Sequence, residues 1–178
     1  MLVTGPPGSG KTALARELAD RLRMPLVAKD TVKEALFETL PPADVEESQR
    51  LGAAAFEVMF SLAREIRPVV LEGNFDARAG PKLRALSPRP IEIFCRCPAD
   101  ELVRRYDTRA DERHPGHFDH VRSEELRARL RDGSEPLALG GPVLEVDTTR
   151  AVAIDEIARW IMEQAGKISA RGEERTRD

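Results

Sequence analysis

Cysteine, tyrosine, tryptophan and asparagine are scarce in this 178-residue chain, and each scarcity excludes something. Two cysteines, Cys95 and Cys97, cannot build a disulfide framework and have no Cys-x-x-Cys partners for zinc, so they read as reduced packing residues. The single asparagine, Asn74, is followed by Phe75, which removes the Asn-Lys-x-Asp element of a guanine-nucleotide switch. No run approaches the ~18 apolar residues of a membrane span. A net charge of −3 and a sequence pI of about 5.8 give no global attraction to nucleic acid or anionic lipid, so neither is an expected partner. No Asp-Glu pair closes an apolar strand, which argues against a processive motor. Of the 28 basic residues only five are lysines (Lys11, Lys29, Lys33, Lys82, Lys167), so one arginine by itself carries little information.

Against these absences stands one dense motif. Leu2, Val3 and Thr4 read as a short strand running into Gly5-Pro6-Pro7-Gly8-Ser9-Gly10-Lys11-Thr12, which satisfies G-x-x-x-x-G-K-[ST], a P-loop. Gly5, Gly8 and Gly10 permit a loop whose N–H groups turn inward, and the following helix offers its positive end to the same anion. Lys11 then reaches the β and γ phosphates of ATP, and the Thr12 hydroxyl ligates Mg²⁺. Because this loop occupies the first residues, no room is left for a signal peptide, and a cytoplasmic location is expected.

Further along, apolar runs alternate with helical periodicities. Strands are expected at 24–28, 68–73, 91–95 and 143–147, and helices at 13–22, 31–40, 43–66, 99–113, 123–130 and 152–168. The stripe Leu51, Ala55, Val58, Leu62 and Ile66 marks the buried face of the long helix. Such alternation predicts an α/β fold in three layers, a five-stranded parallel sheet with helices on both faces and ligands outside the strands' C-terminal ends. One domain over 1–168 is expected, with a helical lid at about 104–130 and a frayed charged tail at 169–178.

Several residues are candidates for chemistry. Asp30 ends the second strand, where it serves an acceptor hydroxyl as a base or caps the next helix. Glu72 closes an apolar strand, as a water-mediated metal or acceptor ligand or simply as a solvated strand end. Arg105, Arg109 and Arg113 recur at i, i+4, i+8, either a phosphate-facing stripe or a solvated one. His114, His117 and His120 fall within seven residues at a spacing unsuited to helical metal ligation, so acceptor recognition at His117 is favoured over zinc. The acceptor pocket is assigned to the helices around Phe37 to Phe60 and to the loop from Glu72 through Asn74 and Phe75 to Arg78.

Taken together, Gly5 to Thr12, Lys29-Asp30, the Lys33-Glu34-Ala35-Leu36-Phe37 helix, Val70 to Phe75, and Arg105-Tyr106 through Arg113-His114-Pro115-Gly116-His117 resemble the small P-loop kinases grouped under the AAA-type ATP-binding label. Relatives there include chloramphenicol phosphotransferase, gluconate kinase, shikimate kinase and polynucleotide kinase types. The resemblance implies strand order 2-3-1-4-5, Asp30 at the acceptor hydroxyl, Arg105 and Arg109 on the phosphates, and Thr149 in the loop beside adenine. It also implies an ATP- and Mg²⁺-dependent kinase acting on a hydroxyl of a small molecule (a nucleoside, an antibiotic or a sugar), as monomer or homodimer. A polynucleotide 5′-hydroxyl kinase and a slowly hydrolysing regulatory module are the alternatives.

Overall fold

The computed structural model describes residues 1–109, 113–119, 123–131 and 133–175. His120, positions 110–112 and 120–122 of the expected lid, and 176–178 of the expected tail lie outside the described residues. Five strands, β1 (Leu2–Thr4), β2 (Leu26–Ala28), β3 (Val70–Glu72), β4 (Glu92–Arg96) and β5 (Val143–Asp147), form one parallel sheet in the order 2-3-1-4-5. The helices are α1 (Lys11–Leu22), α2 (Lys29–Thr39), α3 (Val45–Glu65), α4 (Gly80–Leu86), α5 (Ala99–Arg109), α6 (Ser123–Arg131) and α7 (Ile154–Arg175).

The two faces of the sheet follow from alternation along each strand. Val3, Val70, Ile93 and Cys95 pack with Leu14 and Leu18 of α1 and Ile157 and Ile161 of α7. Leu2, Val27 and Leu71 face the other way, against Met59, Phe60 and Ala63 of α3 and Leu83 of α4. Although β1 is only three residues long, it is central, paired with β3 through Val3↔Glu72 and with β4 through Val3↔Ile93. That register sets Thr4, and the loop after it, between the ends of its two neighbours.

Three expectations need correction. The buried face of α3 is Ser48, Gly52, Ala55, Met59, Phe60 and Ala63, whereas Val58 and Leu62 remain 40% and 39% exposed. Met59, Phe60 and Ala63 pack on the sheet, while Ser48 and Gly52, a turn or more earlier, stand beside the Lys33 side chain. α5 is described as far as Arg109 and Arg113 lies in a bend outside any helix, so Arg113 does not extend the stripe of Arg105 and Arg109. α7 continues past Ile168 to Arg175, so the tail expected at 169–178 is helical over its described part; no proline stops it.

Glu92 was read only as part of an apolar strand. It is 1% exposed, and its carboxylate accepts hydrogen bonds from Thr4 Oγ1 (2.8 Å), Leu137 N (2.9 Å) and Ala138 N (3.1 Å). One acid thus fastens the segment ahead of β5 to the residue that opens the P-loop.

Candidate active site

The loop after β1 turns on glycines. Gly8 (φ +81°) and Gly10 (φ +79°) occupy the left-handed region, and Gly10 is also the N-cap of α1. Neither Gly10 nor Ala28, the N-cap of α2, supplies a side-chain acceptor to its helix, while Asp44 accepts from Glu47 N at the start of α3. Both uncapped ends open on one cleft of about 490 Å³. Within the P-loop the Ser9 hydroxyl is buried and has no hydrogen-bond partner among the described residues.

Lys11 is buried, donates to the Pro6 carbonyl (3.3 Å) and lies 3.9 Å from Glu72 Oε1. Burial lowers its pKa, with Glu72 and Asp30 pulling the other way. Glu72, 2% exposed, shows the converse: burial raises its pKa against the Lys11 ammonium, Asp30 adds to the rise, and the Thr12 hydroxyl opposes it. Thr12 and Glu72 therefore set two hard oxygen donors together beside the P-loop. Such a set suits Mg²⁺, which binds through one or two protein oxygens and keeps water and phosphate for the rest. Among the described residues no group of three or more His, Cys, Asp or Glu could hold a metal, which leaves the histidines without a zinc constellation there.

Across the cleft, Asp30 stands in the first turn of α2, two residues past the N-cap position, which Ala28 holds. Its carboxylate meets Lys29 Nζ at Oδ1 (3.0 Å) and Arg113 Nη2 at Oδ2 (3.0 Å). Burial works to raise its pKa, but the Lys29 and Arg113 charges outweigh it and hold the carboxyl well below the usual range. Arg113 also donates to Asp119 Oδ2 (2.7 Å) and lies 3.2 Å from His117 Nδ1. Because a guanidinium can only donate, His117 Nδ1 accepts, and its proton sits on Nε2, 2.9 Å from Glu34 Oε1. Burial first, then Arg113, pushes the His117 pKa below 6.5.

The expected site residues divide clearly. Pro7, Gly8, Gly10, Lys11, Thr12, Asp30, Glu72, Asn74, Arg109 and His117 line the cleft. Gly5 and Ser9 are buried in the loop, and Pro6 receives the Lys11 bond. Phe37 is 2% exposed and does not line the cleft; it packs under the His114 and His117 rings at 5.0 and 5.3 Å. Phe75 is likewise drawn away, against Phe56 and Phe60. Arg78 is exposed and clasps Asp76, which its own short turn places two residues away. Arg105 bonds Glu101 (2.6 Å) and the Thr148 carbonyl (3.1 Å), so it ties α5 to the segment after β5 instead of facing the cleft. Thr149 closes a turn onto Asp147, while Thr148 and the Arg105 guanidinium flank the P-loop, 3.6 and 3.8 Å from where a Cβ on Gly10 would lie.

Sequence reasoning missed Lys33 and Glu34 as cleft residues. Lys33 is 4% exposed and donates to Ser48 Oγ (2.9 Å), which donates to the Gly116 carbonyl (2.6 Å). The signal was present in Lys29-Asp30 and Lys33-Glu34, two charge pairs four residues apart on one helix face.

A family model described as an AAA domain matches residues 1–136, and the chain belongs to that family. A crystal structure of a candidate kinase from Chloroflexus aurantiacus J-10-fl is 32% identical over 92% of this chain and 97% of its own, with a TM-score of 0.78. A gluconokinase from Sinorhizobium meliloti 1021 (18% identical; 98% and 95% covered; TM-score 0.57) and a shikimate kinase from Acinetobacter baumannii in complex with shikimate (17%; 93% and 92%; 0.56) share the fold. The fold is thus that of the small P-loop kinases. One curated relative, the chloroplastic ATP-dependent zinc metalloprotease FTSH 12 of Arabidopsis thaliana, is 37% identical over 81 residues. The match covers 45% of this chain and only 7% of that protein's length. No described helix is long and apolar enough to cross a membrane.

Proposed function

We propose that the protein is a kinase that moves the γ-phosphoryl group of ATP, with Mg²⁺, to a hydroxyl of a small polar molecule. The observation that carries this reading is a single cleft shared by the Lys11 ammonium and the Asp30 carboxylate, one at each end of the path a phosphoryl group would take. The P-loop N–H groups and Lys11 bind the donor phosphates, and Thr12 with Glu72 would hold Mg²⁺, which when bound neutralises charge on the β and γ oxygens. Arg109 lines the same cleft close enough to Lys11 to depress its pKa. It is a cation placed to meet the transferring group, as is Arg16 of α1 on the same cleft.

Asp30 receives the hydrogen bond of the acceptor hydroxyl. As the hydroxyl oxygen bonds to phosphorus, the bond to the ADP oxygen breaks, and the hydroxyl proton passes by way of Asp30 to solvent. A carboxylate held this strongly ionised contributes orientation more than basicity. The acceptor is small and polar, since Lys29, Lys33, Glu34 and His117 line its end of the cleft while Phe37 and Phe75 do not. A cytoplasmic location, where ATP and Mg²⁺ are abundant, accompanies this reading.

ADP release with ATP and Mg²⁺ across nucleosides, aminoglycosides, sugars and hydroxy acids, with ³¹P NMR of the products, tests it. A stable phosphorylated product is expected from at least one class. ADP release that no acceptor stimulates, with inorganic phosphate as the only product, would overturn it and leave a slowly hydrolysing regulatory module.

A further inference from the structure

The acceptor end of the cleft contains an arrangement that phosphoryl transfer does not itself require. Arg113 comes from the segment after α5, reaches α2, and is fixed there by two carboxylates, Asp30 at 3.0 Å and Asp119 at 2.7 Å. Its side chain is 18% exposed, Asp119 is 6% exposed, and His117, bonded to Glu34 of α2, closes the remaining side. A fork held this way cannot swing toward a phosphate without abandoning both carboxylates.

A carboxylate has about four lone-pair positions. Lys29 takes one at Oδ1 and Arg113 one at Oδ2, from elements on either side of the cleft. Each contact restrains the χ2 rotation that the other leaves free. One position per oxygen then remains, and Asp30 itself lines the cleft.

We propose, on the reading of Asp30 as the acceptor group, that Arg113 is the positioning residue of the acceptor site, holding the Asp30 carboxylate ionised and turned so that its free lone pairs meet the incoming hydroxyl. Arg113 acts through Asp30: among the described residues its hydrogen-bond partners are Asp30, Asp119 and His117, none of them in the P-loop. Asp119 and His117 hold Arg113 in turn. The other charged or titratable groups lining the cleft with Asp30 are Lys11 and Arg16 from α1, Glu72 at the end of β3, Lys29, Lys33 and Glu34 from its own helix, Arg109 from α5, and His114.

The test uses the full chain labelled with ¹³C at the aspartate carboxyl carbons, the Asp30 signal being assigned by its loss in Asp30→Asn. In Arg113→Gln the Asp30 titration midpoint should rise by about one pH unit or more, since a neighbouring opposite charge is worth one to three. Arg113→Lys should show a smaller rise, because a point charge cannot bridge Asp30 and Asp119 as a planar fork does. Arg113→Met, which keeps the length of the side chain and removes its charge, should move the midpoint in the same direction and serves if Arg113→Gln does not fold. ATP affinity by calorimetry should stay within about twofold, or ~0.4 kcal/mol, in every variant. With any acceptor that supports ADP release, Arg113→Gln should raise the acceptor KM about tenfold without changing the ATP KM, and added guanidinium ion should restore part of it. An Asp30 midpoint that stays put in both Arg113→Gln and Arg113→Met overturns the role of Arg113 and leaves the kinase reading standing. A midpoint that moves, in a protein that no acceptor stimulates, upholds the Arg113 contact as a structural device and overturns both the kinase reading and the acceptor role built on it.

Discussion

Replacing Glu92 by glutamine asks how much of this fold depends on one buried carboxylate. The side chain keeps its shape, but its two equivalent acceptors become one oxygen and one NH₂. If the amide oxygen takes the Oε1 position it retains Thr4 and Leu137, and the NH₂ then opposes the Ala138 N–H, donor against donor. Losing a hydrogen bond to a charged acceptor costs about 1.5–3 kcal/mol. The two retained bonds weaken because their acceptor is no longer ionised, while relief from burying a charge returns part of the loss. A net destabilisation of about 2 kcal/mol results, or about 4–8 °C in Tm for a domain of this size. Calorimetry on wild type, Glu92→Gln, Thr4→Val and the double variant gives the value and the coupling. Thr4→Val alone should cost about 1 kcal/mol, and the pair should be non-additive by ~0.5 kcal/mol or more, as expected of residues in contact. If Glu92→Gln melts within about 1 °C of wild type, the segment before β5 is held by the apolar contacts of Leu137 and Leu139, and the reasoning is wrong.

Other outcomes follow from the cleft. Lys11→Ala should abolish phosphoryl transfer while circular dichroism and melting show an intact fold; turnover within about tenfold of wild type, ~1.4 kcal/mol of barrier, would refute the role given to Lys11. Asp30→Asn should lower acceptor-dependent turnover by roughly 10² or more. Its cost in stability should be about 1 kcal/mol, because the ion pairs it weakens are partly open to solvent; a large loss of stability with the rate retained would make Asp30 structural. Hydrogen exchange at 104–109, 113–119 and 123–131 should slow when ATP and Mg²⁺ are added, if these residues close as a lid; unchanged exchange argues against that closure. His117, whose folded pKa lies below 6.5, contributes stability in full above about pH 6.5 and loses it as pH falls from there toward the lowered value. Tm should therefore drop on acidification through that window, and His117→Asn should flatten the slope; an equal slope in the variant would show that His117 is not the titrating group.

The P-loop and the strands themselves were legible because both are local, a motif of eight consecutive residues and apolar runs that each end at a recognisable break, whereas the order of the strands in the sheet came from the family resemblance. Long-range choices were not. Arg113 reads as the third member of a helical stripe, since periodicity reports spacing and not where a helix stops, and its partner Asp30 lies 83 residues away. The phenylalanines show a second limit. Phe37 and Phe75 fall in segments assigned to the acceptor pocket, and only the packing under His114 and His117, or against Phe56 and Phe60, shows them as core. In α3 the stripe through Val58 and Leu62 is offset by one position from the buried one through Met59 and Ala63, a rotation that spacing alone does not fix when apolar residues stand on both sides of it. Glu92 gave no signal because its donors are two backbone N–H groups and a threonine hydroxyl, which any sequence can supply.

The uncapped starts of α1 and α2 have a consequence for the life of the protein in a cell. A side-chain cap of the kind Asp44 gives α3 is worth about 1 kcal/mol, and the chain forgoes it at both helices that open on the cleft. Donors left to water at those ends find partners only when an anion arrives, so on the proposed reading the folded population is linked to nucleotide supply. At a nucleotide concentration about a hundred times Kd, that linkage adds about 2.7 kcal/mol. Proteases that cut transiently opened chains sample the unliganded molecule far more often than the liganded one. Starved of its nucleotide, this protein would be degraded sooner, and its abundance would follow the energy state of the cell without any dedicated regulator.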